Sequence, residues 1–205
     1  MRLNVLRQRS SGFSLLELMV TVGLLSLLLF FVAPDMGTWS RNMQVRGEAE
    51  ALQNGLQRAR NEAVRRNRTV QFSLINLNDS SKMDDTCVLS TAGTSWVISL
   101  EDPTKKCAQL PSETTAPKII AAHAAGSAAT KVKVTATGDE SADANAIVFD
   151  SYGRMKGNTE PIRRIVVESL GESDGARTLH ILLNAAGSIR MCDPKVSATG
   201  DPRKC

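Results

Sequence analysis

The feature that most constrains this chain is an apolar run near its N-terminus. Residues 13–33 read FSLLELMVTVGLLSLLLFFVA and contain one charged side chain, Glu17. As an α-helix rising about 1.5 Å per residue, this run would be about 30 Å long, the thickness of the hydrocarbon core of a bilayer. We therefore predict a single membrane-spanning helix over 13–33.

The residues before this run predict its orientation. Arg2, Arg7 and Arg9 precede it, and the first twelve residues contain no acid. Because basic flanks stay on the cytoplasmic side, we expect the rest of the chain on the far side of the membrane. A cleaved secretory signal has a similar outline, but this apolar run is longer than a typical signal core, and no small-residue cleavage site ends it before Pro34.

The net charge does not indicate a basic protein as a whole. The formal charge is +4, and the three N-terminal arginines supply most of it, since 4 − 3 leaves +1. Charged residues make up 22% of the chain and hydrophobic residues 42%, which is typical of a globular protein and excludes disorder for the bulk of it. Any anion site must therefore be a local patch.

The cysteines favour disulfides over a metal site. They fall into two pairs, 20 and 13 positions apart: Cys87 with Cys107, and Cys192 with Cys205. No C-x-x-C unit occurs, and the two histidines, His123 and His180, stand alone, so we predict neither a metal site nor a cofactor. Two local disulfides imply an oxidising compartment, although a long-range pairing such as Cys87 with Cys192 stays open.

An amphipathic helix is predicted over 34–67. Apolar residues recur there in steps of three and four: Val45, Ala49, Leu52, Leu56, Ala59 and Ala63. We assign the charged residues to the opposite face: Arg46, Glu48, Glu50, Arg58, Arg60 and Glu62. The apolar stripe is expected to pack on the sheet that follows.

The remainder, residues 68–205, is predicted to be a β-rich globular domain, which makes the fold class α+β. Alternating apolar residues predict strands at 69–75, 95–100, 130–136, 146–150, 162–169, 177–183 and 188–191. Segment 121–129 is poor in bulky residues and is expected to be a flexible connection.

The N-terminal residues resemble a known processing motif. Gly12 and the following residues FSLLE, ending at Glu17, are similar to the recognition motif of type IV prepilins and type II secretion pseudopilins. The resemblance implies that a prepilin peptidase removes residues 1–12 as a leader and methylates Phe13. It also implies that Glu17 pairs with the N-terminal amine of a neighbouring subunit during assembly. Pro34 falls at the twenty-second mature position, since 34 − 12 = 22, where that family carries a proline.

Three further segments resemble the GspH and FimT/FimU branch of minor pilins and pseudopilins. They are ARNEAVRRN at 59–67, FDSYGR at 149–154 and GSIRMCDP at 187–194, and the last is most similar to FimU-like minor pilins. This resemblance implies a long N-terminal helix that packs on a globular domain of two β-sheets.

The chain is not predicted to be an enzyme, because it contains no nucleophile elbow, phosphate loop or metal-ligand cluster. The resemblance implies a minor pilin that primes a type IV pilus or is incorporated into it, or else a minor pseudopilin of a type II secretion system. Its expected partners are other pilins or pseudopilins and the prepilin peptidase. Its expected location is the bacterial inner membrane, with the globular domain in the periplasm, and afterwards the pilus or pseudopilus.

A third function, DNA binding, is implied by FimT-like relatives that use a C-terminal G-R-x-R loop in natural transformation. The corresponding segment here is 187–190, in which Ser188 replaces the first arginine. The candidate phosphate contacts are Arg190, Lys195, Arg203 and Lys204. Asp193 and Asp201 offset part of this charge, so nucleic-acid affinity would be weak and strongly dependent on salt.

Overall fold

The computed structural model describes residues 12–157, 160–171 and 176–205. This part of the chain contains one α-helix, α1 (Leu15–Arg66), followed by ten strands. It divides into two compact units, one ending at Trp39 and the other beginning at Ser40. The predicted helices over 13–33 and 34–67 therefore form one helix of 52 residues, in which Pro34 is an internal residue.

The apolar part of α1 was predicted to span a membrane. Among the described residues, no helix combines the length and the apolar character that crossing a bilayer requires.

The β-strands are short and all pair in antiparallel fashion. Their bounds are β1 (Val70–Asn76), β2 (Val88–Leu89), β3 (Ser95–Ser99), β4 (Ile119–His123), β5 (Val132–Thr137), β6 (Ala146–Phe149), β7 (Met155–Lys156), β8 (Arg164–Ser169), β9 (Thr178–Leu183) and β10 (Ile189–Cys192). The first sheet has the order β4-β3-β1-β6-β7, with β2 paired to the end of β1, and the second has the order β10-β9-β8-β5. The α+β class and the two sheets are thus confirmed.

The predicted apolar stripe of α1 forms one wall of the core. All six of its residues are completely buried, and they join one hydrophobic cluster with residues of both sheets. Gly55 lies on the same face, where a Cβ would come within 2.8 Å of the Trp96 ring. Only a glycine lets this indole approach the helix backbone so closely.

Glu48 is a correction to the predicted polar face, because its residue is only 4% exposed. At 100° per residue, Glu48 lies about 60° from the centre of the stripe at Val45, and only about 20° beyond Ala59, which lies on the same side. A position so near the edge of the stripe is covered by the sheet and its loops, which the spacing of apolar residues alone did not show.

Each of the seven predicted strands overlaps an observed one, and the prediction missed β2, β4 and β7. Segment 121–129 is not the flexible connection that was expected. Its first residues complete β4, which pairs with β3 from Trp96 to Ser99, and Gly126–Thr130 forms a 3-10 helix. Alanine has a low intrinsic strand preference, so pairing with β3, rather than composition, determines this structure.

Both predicted disulfides are present, Cys87–Cys107 and Cys192–Cys205. The first is buried in a small second cluster with Ile75, Val97 and Ile119. The second joins the end of β10 to the C-terminal tail. The alternative pairing of Cys87 with Cys192 is thereby excluded.

Candidate functional site

The beginning of α1 is fixed by a capping interaction. Ser14 precedes the helix, and its Oγ accepts a hydrogen bond of 3.2 Å from the backbone N–H of Glu17. The Ser14 carbonyl accepts the first helical bond, from Leu18 N–H, at 3.1 Å. The Ser-x-x-Glu spacing is the sequence signal of such a helix start. Glu17 consequently lies in the first turn, where the positive end of the helix dipole favours a carboxylate.

The first turns of α1 present apolar side chains to the exterior of their unit. Phe13 is 83% exposed, and every large apolar residue from Leu15 to Leu28 is more than half exposed. The two hydroxyl groups in this stretch bond to the helix itself, Thr21 Oγ1 to Leu18 O at 2.9 Å and Ser26 Oγ to Val22 O at 2.8 Å. This surface therefore offers apolar contact with few unsatisfied polar groups, and needs a partner or a lipid environment to cover it.

The predicted processing site immediately precedes this helix. Gly12 and Phe13 are both exposed and outside α1, so a peptidase could reach the bond between them. The rest of the predicted leader, residues 1–11, lies outside the described residues, and so do its three arginines. Cleavage, methylation of Phe13 and the assembly roles of Glu17 and Pro34 stay predictions.

The three internal segments that resemble minor pilins meet at one place in the globular unit. Arg60 of α1 donates a hydrogen bond of 2.9 Å from Nε to the carbonyl oxygen of Gly153. Gly187, which has a φ of +78°, approaches the same carbonyl so closely that a Cβ would lie 1.9 Å from it. The recognisable residues thus hold the helix and two loops together, which is a structural role.

Asp150 shapes the loop that presents Gly153. One carboxylate oxygen, Oδ1, accepts hydrogen bonds of 2.9 Å from the backbone N–H groups of Tyr152 and Arg154. The other, Oδ2, pairs with the Arg154 guanidinium at 3.0 Å, and that guanidinium also stacks over the exposed Tyr152 ring. The loop is therefore built from its own side chains, and Tyr152 is left at the surface.

The C-terminal tail brings together three of the four predicted DNA contacts. Asp193 N–H donates to Arg203 O at 2.7 Å, which aligns the tail beside the end of β10. Lys195 Nζ donates to the Ala176 carbonyl at 2.7 Å, and Lys204 Nζ to the Ser197 carbonyl at 3.3 Å. Arg190 is exposed on β10 itself. The tail lysines are therefore bound to backbone carbonyls.

The arginines near this tail are paired with acids. A cavity of about 180 Å³ is lined by Arg46, Arg177 and Arg203. Their carboxylate partners are Glu50 at 2.7 Å, Asp193 at 3.4 Å and Asp201 at 2.8 Å. The hydrogen bond from Arg203 lowers the pKa of Asp201 to about 2, so this acid keeps its charge. Each of these three arginines is therefore paired with an acid, and DNA binding stays a prediction.

No group of three histidine, cysteine or acidic residues within the described ranges is placed to hold a metal ion. The two histidines lie in strands, His123 at the end of β4 and His180 in β9. Burial lowers the pKa of both imidazoles, so they are neutral near pH 7.

Two family models match the chain. The model described as Type II transport protein GspH matches residues 48–187. The model described as Prokaryotic N-terminal methylation motif matches residues 7–33, which include the predicted cleavage site, Glu17 and the apolar run. No curated protein matches the sequence significantly.

Two crystal structures of the type IV minor pilin FimU from Pseudomonas aeruginosa (strain PAO1) are similar to this chain. The structure in space group P21 has 19% sequence identity and a TM-score of 0.44, and the match covers 78% of this chain and 97% of the FimU chain. The structure in space group P65 has 17% identity and a TM-score of 0.41, and the match covers 75% and 97% of the two chains.

Proposed function

This chain belongs to the GspH family of minor pilins and pseudopilins and carries the prokaryotic N-terminal methylation motif, and we propose that it acts as a structural subunit that primes a type IV pilus or is incorporated into it. The observation that carries the proposal is the arrangement at the start of α1. The exposed Gly12–Phe13 bond precedes a capped helix whose first turn holds Glu17 and whose surface is apolar. The type IV pilus, rather than a related machine, is favoured by the resemblance of residues 187–194 to FimU-like minor pilins.

Glu17 is proposed to be the assembly contact. After cleavage, the α-amine of Phe13 would lie four residues before Glu17, roughly 6 Å along a helix. A carboxylate in an apolar environment is unfavourable unless a cation neutralises it, and the amine of a processed neighbour supplies such a cation. Exchange of the subunit's own amine for a neighbour's would accompany its transfer into a filament.

The experiment compares Glu17→Ala with the wild type in a strain that lacks the native gene. Immunoblots of sheared filaments measure how much subunit is assembled, and immunoblots of membrane fractions measure how much remains unassembled in the membrane. We expect Glu17→Ala to be processed and to accumulate in the membrane, yet to be absent from filaments. Thr21→Ala, one turn further along α1, is the matched control, since the Thr21 hydroxyl bonds to the Leu18 carbonyl of its own helix. Incorporation of Glu17→Ala at the wild-type level would show that the carboxylate is not the assembly contact.

We further propose that the apolar beginning of α1 holds the subunit in the bacterial inner membrane before assembly, with the globular unit in the periplasm. The exposed apolar side chains from Phe13 to Leu28 support this, because water is an unfavourable environment for them. The two disulfides support an oxidising compartment for the globular unit. Extraction of the full chain from membranes by alkaline carbonate would contradict the membrane location, and labelling of its thiols in intact cells without reductant would contradict the periplasmic one.

The second candidate is a minor pseudopilin of a type II secretion system. The description of the matching family as a type II transport protein favours it specifically. Deleting the gene separates the two functions. Loss of surface pili with normal protein secretion would support the pilus, and loss of secretion with normal pili would support the secretion system.

A further inference from the structure

A cavity of about 320 Å³ opens at the surface of the globular unit, beside the middle of α1. One wall is formed by Gly47, Glu48 and Ala51 of the helix. The opposite wall is formed by His123 at the end of β4, by Ala128 in the 3-10 helix that follows, and by Lys131. The cavity is therefore a separate feature from the N-terminal segment and from the C-terminal tail.

Glu48 is the unusual residue of this cavity. It is 4% exposed, its Oε1 has no hydrogen-bond partner, and it takes part in no ion pair with any other residue that the structure describes. Burial raises the pKa of the carboxyl group to about 7. A buried carboxyl group without a donor is costly, so a stable protein retains one where something else supplies the donor.

The groups that face Glu48 leave it without a positive partner. His123 stacks on the Trp96 ring, with the centroids 5.3 Å apart, and burial lowers its pKa, so the imidazole is neutral at pH 7. Lys131 is an exposed residue of the cavity lining, and no ion pair joins it to Glu48 among the described residues. Neither group therefore neutralises the Glu48 carboxyl group, which is about half ionised at pH 7 because its pKa is about 7.

The shape of the cavity suits a long, thin side chain. Gly47, Ala51 and Ala128 are small residues, and a Cβ added at Gly47 would meet nothing within 4 Å. Lysine and arginine place aliphatic carbons along apolar surface and carry several N–H donors at their tips. Such a side chain would bury its stem against the alanines and donate to Glu48 at the bottom.

We propose that this cavity receives a lysine or arginine side chain from the adjacent pilin-like subunit of the filament, with Glu48 as its acceptor. The inference rests on the proposed function, since it assumes that a second subunit packs beside α1. It adds a contact in the globular unit that is independent of Glu17 and specific to one neighbour. Charge complementarity at a desolvated site discriminates between partners, because a subunit without the cation would leave the carboxylate unpaired.

The first experiment removes the charge without changing the shape. Full-length Glu48→Gln is expressed in the deletion strain, and its incorporation into sheared filaments and detergent-solubilised assemblies is compared with that of the wild type. We expect a reduction of about tenfold or more, as for other buried charge pairs that lose one partner. Glu50→Gln is the matched control, since it removes the same charge from an exposed residue two positions along the helix that pairs with Arg46. This control should be incorporated at the wild-type level.

A second variant tests the cavity rather than the charge. Gly47→Leu places a side chain in the open space at the cavity wall, and leucine is a better helix former than glycine, so the fold should be retained. We expect the same loss of incorporation as with Glu48→Gln. Incorporation of either variant at the wild-type level would overturn the proposal.

The third experiment identifies the occupant. A photo-crosslinking amino acid at Ser127, an exposed residue of the cavity lining, is activated in assembled full-length protein, and the adducts are mapped by mass spectrometry. We expect an adduct with a lysine- or arginine-bearing peptide of another pilin-like subunit, and its loss in Gly47→Leu. Adducts confined to lipid, to this chain's own peptides or to a protein outside the assembly would overturn the proposal.

The outcomes distinguish the cavity from the general function. If Glu17→Ala is excluded while Glu48→Gln enters filaments normally, the chain is an assembly subunit and the cavity is not its contact. If the wild type itself is absent from filaments and from secretion assemblies, the proposed function is wrong and this inference falls with it.

Discussion

Glu48→Gln should change how the stability of the subunit depends on pH. Burial raises the pKa of this carboxyl group from 4.5 in the unfolded chain to about 7 in the folded one. The folded protein therefore holds this proton more tightly, and the associated stability is fully present below pH 4.5. It is lost progressively as the pH rises and is gone above about 7.

The magnitude follows from the two pKa values. Each pKa unit is worth about 1.4 kcal/mol, so the interval from 4.5 to about 7 corresponds to about 3 kcal/mol in the free energy of unfolding. Glutamine cannot ionise, so the Glu48→Gln variant does not lose this free energy of unfolding as the pH rises. The stability of the variant relative to the wild type should increase by about 2 to 3 kcal/mol between pH 5 and pH 8.

The assay is chemical denaturation of the full-length protein in detergent at pH 5, 6, 7 and 8, followed by tryptophan fluorescence. Trp96 is 7% exposed and belongs to the hydrophobic core, so its fluorescence reports the unfolding of that core. His123 faces the same cavity and has a lowered pKa, so it destabilises the fold as the pH falls below its unfolded value of 6.5. This contribution and the charge of Lys131 are present in both proteins and cancel in the difference.

The control and the refuting result are both read from one quantity, the difference in the free energy of unfolding between variant and wild type as a function of pH. Glu50 is exposed and paired with Arg46, so Glu50→Gln should give a flat difference between pH 5 and pH 8. A flat curve for Glu48→Gln as well, or one that falls with pH, would show that the carboxyl group is not buried without a partner. That result would also remove the physical basis of the proposed cavity contact.

The remaining predictions concern processing, the disulfides and the helix-to-loop junction. Mass spectrometry of membrane-extracted protein should find an N-terminal methyl-Phe13 peptide, whereas an intact leader joined through Gly12 would contradict this. Reduction should lower the free energy of unfolding by about 2 to 4 kcal/mol for each disulfide, as measured by denaturation with and without reductant, and four free thiols in a non-reducing peptide map would refute the pairing. Gly187→Ala should cost at least about 2 kcal/mol in the same assay, because φ is +78° and the new Cβ would lie 1.9 Å from the Gly153 oxygen; Gly171→Ala, with open space at its Cβ, should be close to neutral.

The sequence predicted best what depends on local periodicity. The apolar stripe from Val45 to Ala63 needed only the helical repeat, and all of it is buried. The alternating strands were found for the same reason. The disulfides were predicted because each closes a short loop, which makes the nearest cysteine the favoured partner.

Contacts between segments that are distant along the chain could not be predicted from local periodicity. β4 is rich in alanine and exists because β3 supplies its hydrogen-bonding partners. β2 and β7 are two residues long, too short for any period to be visible. The approach of Gly187 to Gly153 joins residues that are distant along the chain, and their sequences resemble a family without indicating that they touch.

Glu17 and Glu48 differ in whether their surroundings come from neighbouring or from distant parts of the chain. The prediction for Glu17 could be made from the sequence because the apolar residues around it are its neighbours along the chain, and its role stays a prediction. The burial of Glu48 could not be predicted, because its surroundings come from β4 and the 3-10 helix, about eighty residues away along the chain. Glu48 opposes the stability of an isolated subunit because it is buried without a hydrogen-bond donor. We propose that a neighbouring subunit supplies the cation for each of the two carboxylates. Such a subunit is expected to be most stable in the assembled state, because other chains then supply the charge and hydrogen-bond partners that its own fold lacks.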